Sequence, residues 1–337
     1  MRAYVVPRGG RTIDQLRRVE RPDPEPGPGE VAVRVRAASI NSRDQAVVNG
    51  TYFGGPVSRD LIPLSDGAGE VTHVGPGVTR VQPGDRVAGV FAQVPPGGPP
   101  FATRAPLGSP LDGMLAERVV LYEDGVVPIP AGLSYEQAAC LPCAAVTAWH
   151  ALMRAGRAIR PGDSVLVLGT GGVSMFALQF ARAAGARVVA TSSSDEKLAR
   201  ALAHGAADGI NYVRTPAWDE EVLKRTGGRG VDCVVEVGGA GTLTRSFTTL
   251  TDGGKVVLIG VLTGRGGEIN PYILMRKHGS LHGIFVGDRQ MFEEMNRAIE
   301  LHGITPIIDR VFPFEEAVDA FRYQASGQFV GKVVIRI

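Results

Sequence analysis

The stretch from Val165 to Lys197, VLVLGTGGVSMFALQFARAAGARVVATSSSDEK, decides how this chain is read. Val165–Leu168 is a continuous apolar run of strand length. A glycine turn follows at Gly169-Thr170-Gly171-Gly172-Val173, then a helical pattern to about Ala184 and a second strand at Arg187–Thr191. The first glycine permits a tight turn, the second lets backbone approach a pyrophosphate, and the helix start offers free N–H groups at a positive dipole end. Ser174 stands where G-x-G-x-x-G has its third glycine, and it is small enough for close helix packing. A glycine fingerprint alone says little. Set between a strand and a helix that leads to a second strand, it predicts a dinucleotide site.

The end of the second strand indicates which dinucleotide. An NAD site places Asp or Glu roughly 20 residues after the first glycine, where it accepts from the ribose 2′-OH. Here that position reads Thr191-Ser192-Ser193-Ser194, without a carboxylate. Asp195 and Glu196 follow, but Ser193-x-x-Glu196 has the spacing of a capping box opening a helix over Asp195–His204. Ser192, Ser193 and Lys197 offer hydroxyls and a cation to a 2′-phosphate, so the expected cofactor is NADPH. Read alone, Lys197 is equally an ordinary solvated helix lysine.

Working outward, 337 residues suffice for two domains. The balance of 36 basic and 34 acidic side chains argues against a nucleic-acid partner. The opening MRAYVVPRGGRT lacks the apolar core of a signal peptide. Glycines break the apolar runs well short of the roughly 18 residues of a membrane span. Three cysteines cannot form a disulfide framework, which fits a cytoplasmic protein.

Residues 1–126 read as β-rich, with short runs such as Val31–Val35, Gly69–Val74 and Arg86–Val90 between turn signals. Residues 94–113 hold six prolines and exclude a helix or a central strand. From Ser134 onward strands and helices alternate, as in a doubly wound parallel sheet. Val231–Val235 and Lys255–Ile259 are expected buried strands, followed by turns at Gly238-Gly239 and Gly260. Ligands lie beyond the carboxyl ends of such strands, so these turns are expected to approach a cofactor's ribose and nicotinamide. Leu281–Val286 reads as the last, edge strand, whose open apolar edge invites a second copy of the chain. Gly331–Ile335 returns to strand character.

Several short motifs in order carry a family resemblance. They include Pro28-Gly29-Glu30-Val31, Ala38-Ser39-Ile40-Asn41, Gly50-Thr51-Tyr52, Gly67-Ala68-Gly69-Glu70-Val71, Gly84-Asp85-Arg86-Val87, Leu141-Pro142-Cys143, the Gly169–Ser174 turn, Ile210-Asn211-Tyr212 and Gly331-Lys332-Val333-Val334. Together they resemble the medium-chain dehydrogenase/reductase superfamily, in its zinc-independent alcohol dehydrogenase and quinone oxidoreductase-like branch. The resemblance implies an α/β chain: a GroES-like β-rich domain from residues 1–128 and 288–337, and a Rossmann domain over 129–287, with the active site in the cleft between them. It also implies a homodimer, and it adds Thr147, Tyr212, Gly260, Val261, Phe285 and Lys332 to the cofactor residues.

Zinc-dependent members take ligands from a cysteine after an early strand, a Gly-His-Glu and a later cysteine. The matching positions here read Asn41, Leu64-Ser65-Asp66 and Cys143, short of the three ligands a catalytic zinc needs. Residues 91–120 hold no cysteine for a structural zinc, so no metal is expected. Cys140-x-x-Cys143 lies in an apolar stretch and reads better as two packed thiols than as a redox pair. His278 and His282 are not expected on one helix.

Without zinc, a hydride acceptor must be polarised by hydrogen bonds or a proton donor. The resemblance places Tyr52 as that donor and Asn41 as a donor to the substrate carbonyl or the nicotinamide ribose. Alternatively Tyr52 is a surface loop aromatic, and Asn41-Ser42-Arg43-Asp44 is a helix cap with a structural salt bridge. The expected function is NADPH-dependent reduction of a small conjugated carbonyl compound, an enone, enal or quinone. Zinc-free alcohol/aldehyde interconversion and non-catalytic dinucleotide binding are the alternatives.

Overall fold

The computed structural model describes residues 1–94 and 105–337. The chain divides into two compact units, Met1–Val146 with Gly287–Ile337, and Thr147–Val286.

The second unit is built on six parallel strands in the order Asp208–Asn211, Arg187–Ser192, Ser164–Leu168, Val231–Glu236, Leu250–Leu258 and Ser280–Gly283. Numbered along the chain this is 3-2-1-4-5-6, the doubly wound order whose direction reverses between the first and fourth strands. Helices cover both faces of such a sheet, so its strands read as unbroken apolar runs. All of Ser164–Leu168 is buried accordingly. The helix Gly172–Ala183 turns Met175, Phe176, Leu178 and Phe180 inward. Leu250–Leu258 begins five residues before the expected strand, because Leu250 pairs with Val231 across a bulge before Lys255 pairs with Cys233. The edge strand stops at Gly283, short of the expected Val286, which takes a left-handed φ of 53° and gives its carbonyl to His150 Nδ1 at 2.6 Å. His282 lies in that strand and His278 beyond the end of the helix Pro271–Arg276, so no single helix presents both.

In the first unit a seven-stranded sheet centres on Glu30–Ile40. Asp66–Val74 runs antiparallel on one side of it, and Arg118–Tyr122 and Lys332–Arg336 share the other. The inward valines Val33, Val35, Val71, Val87 and Val333 form the core with Leu115 and Phe321. Residues 129–146, expected with the dinucleotide-binding domain, cluster instead with this unit. The bonds that hold them there include Ser39 Oγ to Ala139 O at 2.9 Å, Cys143 N to Asp66 Oδ2 at 3.1 Å and Arg86 Nη2 to Leu133 O at 2.6 Å. Part of the proline-rich stretch, residues 95–104, lies outside the described residues; Ala105–Pro106 pairs with Ala92–Gln93 as a two-strand ribbon apart from the main sheets.

Candidate functional site

In the second unit the functional side chains gather at the carboxyl ends of the strands. Gly169 leaves its strand with φ +73°, a conformation that disfavours any side chain, and its N–H donates to Thr191 Oγ1 at 3.3 Å. A Cβ added at Gly169 or Gly171 meets nothing within 4 Å, so the backbone faces open space where a pyrophosphate can approach. Gly171 caps the following helix, and Gly172 and Val173 are its first residues, with the N–H groups that such a ligand needs. Ser174 does more than stay small: its buried Oγ donates to Leu168 O at 2.6 Å and ties the helix to the strand end. Thr170, within the turn, is buried.

The neighbouring strand ends carry Ser192, Ser193, Lys197 and Tyr212, the residues expected to take a 2′-phosphate. Tyr212 N donates to Ser192 O at 3.0 Å, which draws the Tyr212 turn beside the serines. Ser192 is buried, Ser193 exposed, Lys197 half-buried and Tyr212 exposed. The cap differs from the expected one. Ser194, not Ser193, accepts from Lys197 N, so Lys197 holds the third helical position, Glu196 the second, and the helix runs over Asp195–Ala203. Asp195 is engaged by Asn211 Nδ2 at 2.8 Å and by the Arg214 guanidinium at 2.6 Å. Arg214 is a second cation at this corner that sequence reasoning missed; it lies two residues past the last residue of the Ile210-Asn211-Tyr212 motif.

Glu236 was also missed. Its carboxylate is fully buried and accepts from Gly238 N at 2.7 Å, Gly239 N at 3.0 Å, Thr242 Oγ1 at 2.6 Å and Ser246 Oγ. Four donors satisfy the carboxyl oxygens, and they fix the turn in which Gly239 has φ +88°. Thr263 N then donates to Gly238 O at 2.7 Å, locking that turn to the one containing Gly260 and Val261. Thr147 is buried, whereas Phe285 and Val261 are exposed.

In the first unit, sheet register assembles a polar cluster. Ser39 pairs with Asp66 and Ile40 with Val333, so Asn41, Asp66 and Lys332 come from three adjacent strands. Lys332, expected among the cofactor residues, is sealed from solvent beside Asn41. Its Nζ donates to Ile40 O at 2.8 Å and Asn41 Oδ1 at 2.5 Å, and stands 4.0 Å from Asp66 Oδ2. Asp66 accepts from Ser65 Oγ at 2.7 Å as well as from Cys143 N. The positions matched to zinc ligands thus do converge, but around an ammonium group. A metal there would meet a cation, an amide, one carboxylate and a thiol whose proton burial retains. This donor set does not fit zinc, and no group of three His, Cys, Asp or Glu able to hold a metal occurs among the described residues.

Asn41 also caps the helix Ser42–Val48, its N–H donating to Asp44 Oδ2 at 2.8 Å. Burial pushes the Asp44 carboxyl up to about 6, against the pull of Arg43. Arg43 contributes more than the expected salt bridge. Its guanidinium stacks 4.7 Å from the Tyr52 ring centre and 5.0 Å from that of Phe91, and donates to Tyr52 Oη at 3.3 Å, Leu107 O at 2.9 Å and Ser109 O at 3.2 Å. Burial opposes its charge, but Asp44 and Tyr52 outweigh it and hold it cationic. Tyr52 is therefore half-buried against a fixed cation, not a free loop aromatic. Cys140 and Cys143 are free thiols; burial pushes Cys140 up to about 12, which suits packing and not redox exchange.

The chain matches the alcohol dehydrogenase GroES-like domain over residues 27–131 and the zinc-binding dehydrogenase family over 172–301. A zinc-type alcohol dehydrogenase-like protein of Schizosaccharomyces pombe is 43% identical, covering 91% of this chain and 90% of its own. Rat quinone oxidoreductase is 31% identical over 93% of this chain and 90% of its own. The crystal structure of an NAD-dependent alcohol dehydrogenase superposes with a TM-score of 0.92 at 34% identity, over 100% of both chains.

Proposed function

The chain belongs to the medium-chain dehydrogenase/reductase superfamily and is an NAD(P)H oxidoreductase, and from that premise we propose that it reduces a conjugated carbonyl compound, a quinone or an enone or enal, with NADPH and without zinc. The observation that carries this reading is the ammonium of Lys332 among Asn41, Asp66 and Cys143, where zinc ligands would converge. Without a Lewis acid, the acceptor is polarised by hydrogen-bond donors, and the Asn41 amide and Tyr52 phenol are the donors of this unit. The reduced dinucleotide, when bound, supplies a hydride. Gly169, Gly171, Gly172 and Val173 would hold its pyrophosphate through backbone N–H groups. Ser192, Ser193, Lys197 and Tyr212 would take the 2′-phosphate. Tyr52 gives its proton to the enolate left by hydride addition, and the phenolate that remains lies against Arg43.

Two supporting statements complete the proposal. The open edge strand Ser280–Gly283, with Leu281 exposed on it, favours a homodimer. Three thiols favour the cytoplasm, and none of the described helices is long and apolar enough to cross a membrane.

The test is NADPH oxidation against quinones, enals, enones and aldehydes, with NADH in parallel. Turnover of a quinone or enone that survives chelators is the expected result. Activity on simple aldehydes alone supports zinc-free alcohol/aldehyde interconversion, the reading favoured by the likeness to an NAD-dependent alcohol dehydrogenase. A requirement for one zinc per chain overturns the zinc-free mechanism.

A further inference from the structure

Lys332 is 2% exposed, and a buried ammonium is tolerated only where its N–H groups are met by acceptors. Ile40 O and Asn41 Oδ1 are two of those acceptors, and Asp66, with no bond shorter than 4.0 Å to it, supplies the opposing charge. An ammonium has donors and no acceptor, so it selects the oxygen of the Asn41 carboxamide and rejects its nitrogen. The amide cannot flip without setting N–H against N–H. Its Nδ2 is thereby turned the other way, where Ser65 Oγ lies at 3.5 Å, the outer limit of a hydrogen bond. Ser65 donates its own proton to Asp66, so its oxygen is free to accept from one Nδ2 proton. The other Nδ2 proton is left for a ligand, and Asn41 is only half-buried.

We infer that Lys332 is a positioning residue: its ammonium fills the place of a metal ion between Asn41 and Asp66, and it locks the Asn41 amide with an N–H turned toward the substrate oxygen. The substrate half of this statement rests on the carbonyl-reductase reading above. The metal half does not, because it follows from the charge and donor set alone. One cation already occupies the cradle, and a dication beside it is repelled at short range in a poorly screened interior.

Zinc content separates the two halves. Wild type, Asn41→Cys, Lys332→Met and the double variant are equilibrated with zinc, desalted and analysed for bound metal, with cobalt absorption as a second readout. Wild type and Asn41→Cys are expected to retain no stoichiometric zinc, although Asn41→Cys adds a thiol to Asp66 and Cys143. The double variant, freed of the ammonium, is expected to retain about one zinc per chain. Stoichiometric zinc in Asn41→Cys alone, or none in a folded double variant, overturns the metal-place assignment.

Asn41→Asp tests the locked amide without emptying the cradle. It keeps an acceptor for Lys332, and it exchanges the Nδ2 donor for a carboxylate oxygen whose charge faces the ammonium. Its melting temperature should match or exceed that of wild type, while kcat on the best substrate falls about 10²-fold, the usual loss for one missing donor, with KM for NADPH unchanged. Full turnover by Asn41→Asp refutes the positioning role while leaving the carbonyl-reductase reading intact. If no carbonyl compound is turned over by wild type, that reading fails, and the zinc measurements still decide what Lys332 does.

Discussion

Asp44 places a carboxyl group wholly inside the first unit, beside Arg43 and within the field of Asp66 and Lys332. Its folded value of about 6 lies above the ordinary 3.8, so the folded state holds that proton more tightly than the unfolded chain does. Its contribution is therefore fully present below about pH 4 and is lost as pH rises to about 6. At about 1.4 kcal/mol per unit the loss is on the order of 3 kcal/mol. Asp44→Asn removes it, so the melting temperature of the variant relative to wild type should climb between pH 4 and 6.5; a constant difference would show that Asp44 ionises normally. Tyr52 makes the kinetic prediction at this scale. A proton donor contributes typically about 10²–10⁴-fold, so Tyr52→Phe should lower enone turnover by that order and spare NADPH affinity. Quinone reduction should suffer less, because its product takes protons from water. Undiminished enone turnover would return Tyr52 to the role of a loop aromatic packed on Arg43.

Elements built on local signals were legible in the sequence, and those depending on long-range partners were not. The strand and helix of the glycine turn follow from apolar run length, helical period and punctuation, and they stand within a residue or so of their expected ends. The cap of the next helix was misplaced by one residue because three consecutive serines satisfy the same rule, and only the path of the chain selects Ser194. Its side chain satisfies a helix-end donor, so Ser194→Ala should cost about 1 kcal/mol in denaturant unfolding while Ser193→Ala costs little. Equal costs would restore the sequence-based cap. The same helix carries Lys197; on the NADPH reading proposed above, a charge-assisted contact between it and a 2′-phosphate would be worth roughly 1.5–3 kcal/mol. Lys197→Ala should therefore weaken NADPH about 10- to 100-fold in a binding isotherm and leave NADH alone; equal loss for both would assign the lysine to the fold. Within the candidate site, Asn41 and Tyr52 were legible from motifs. Lys332 beside Asn41 was not, because 291 residues separate them and only the register of three strands joins them. Glu236, and the contacts of Arg43 beyond its salt bridge, were hidden for a similar reason: their partners are backbone N–H groups, hydroxyls, carbonyls and ring faces, which no sequence pattern displays.

For the whole molecule, the unanswered edge of the six-stranded sheet matters most. Among the described residues, Ser280–Gly283 pairs with Lys255–Leu258 on one side only, which leaves the other side of the strand as a sheet edge. Edge strands of soluble proteins are commonly blunted by charge, proline or a bulge, and the sequence Ser280-Leu281-His282-Gly283 carries none of the three. Leu281 is 40% exposed, and on the same unit Leu262, Tyr272 and Met275 are each more than half exposed. Exposed apolar groups in that number on the unit that carries the open strand favour a partner, and a two-fold axis lets one surface serve both copies. Light scattering at micromolar concentration should give a mass near twice the 35.6 kDa of one chain. Leu281→Lys, which adds the charge that natural edges use, should shift the mass toward one chain without unfolding the sheet. A wild-type mass of one chain would mean that the edge is tolerated unpaired, and a Leu281→Lys protein that stays dimeric would move the interface to another face.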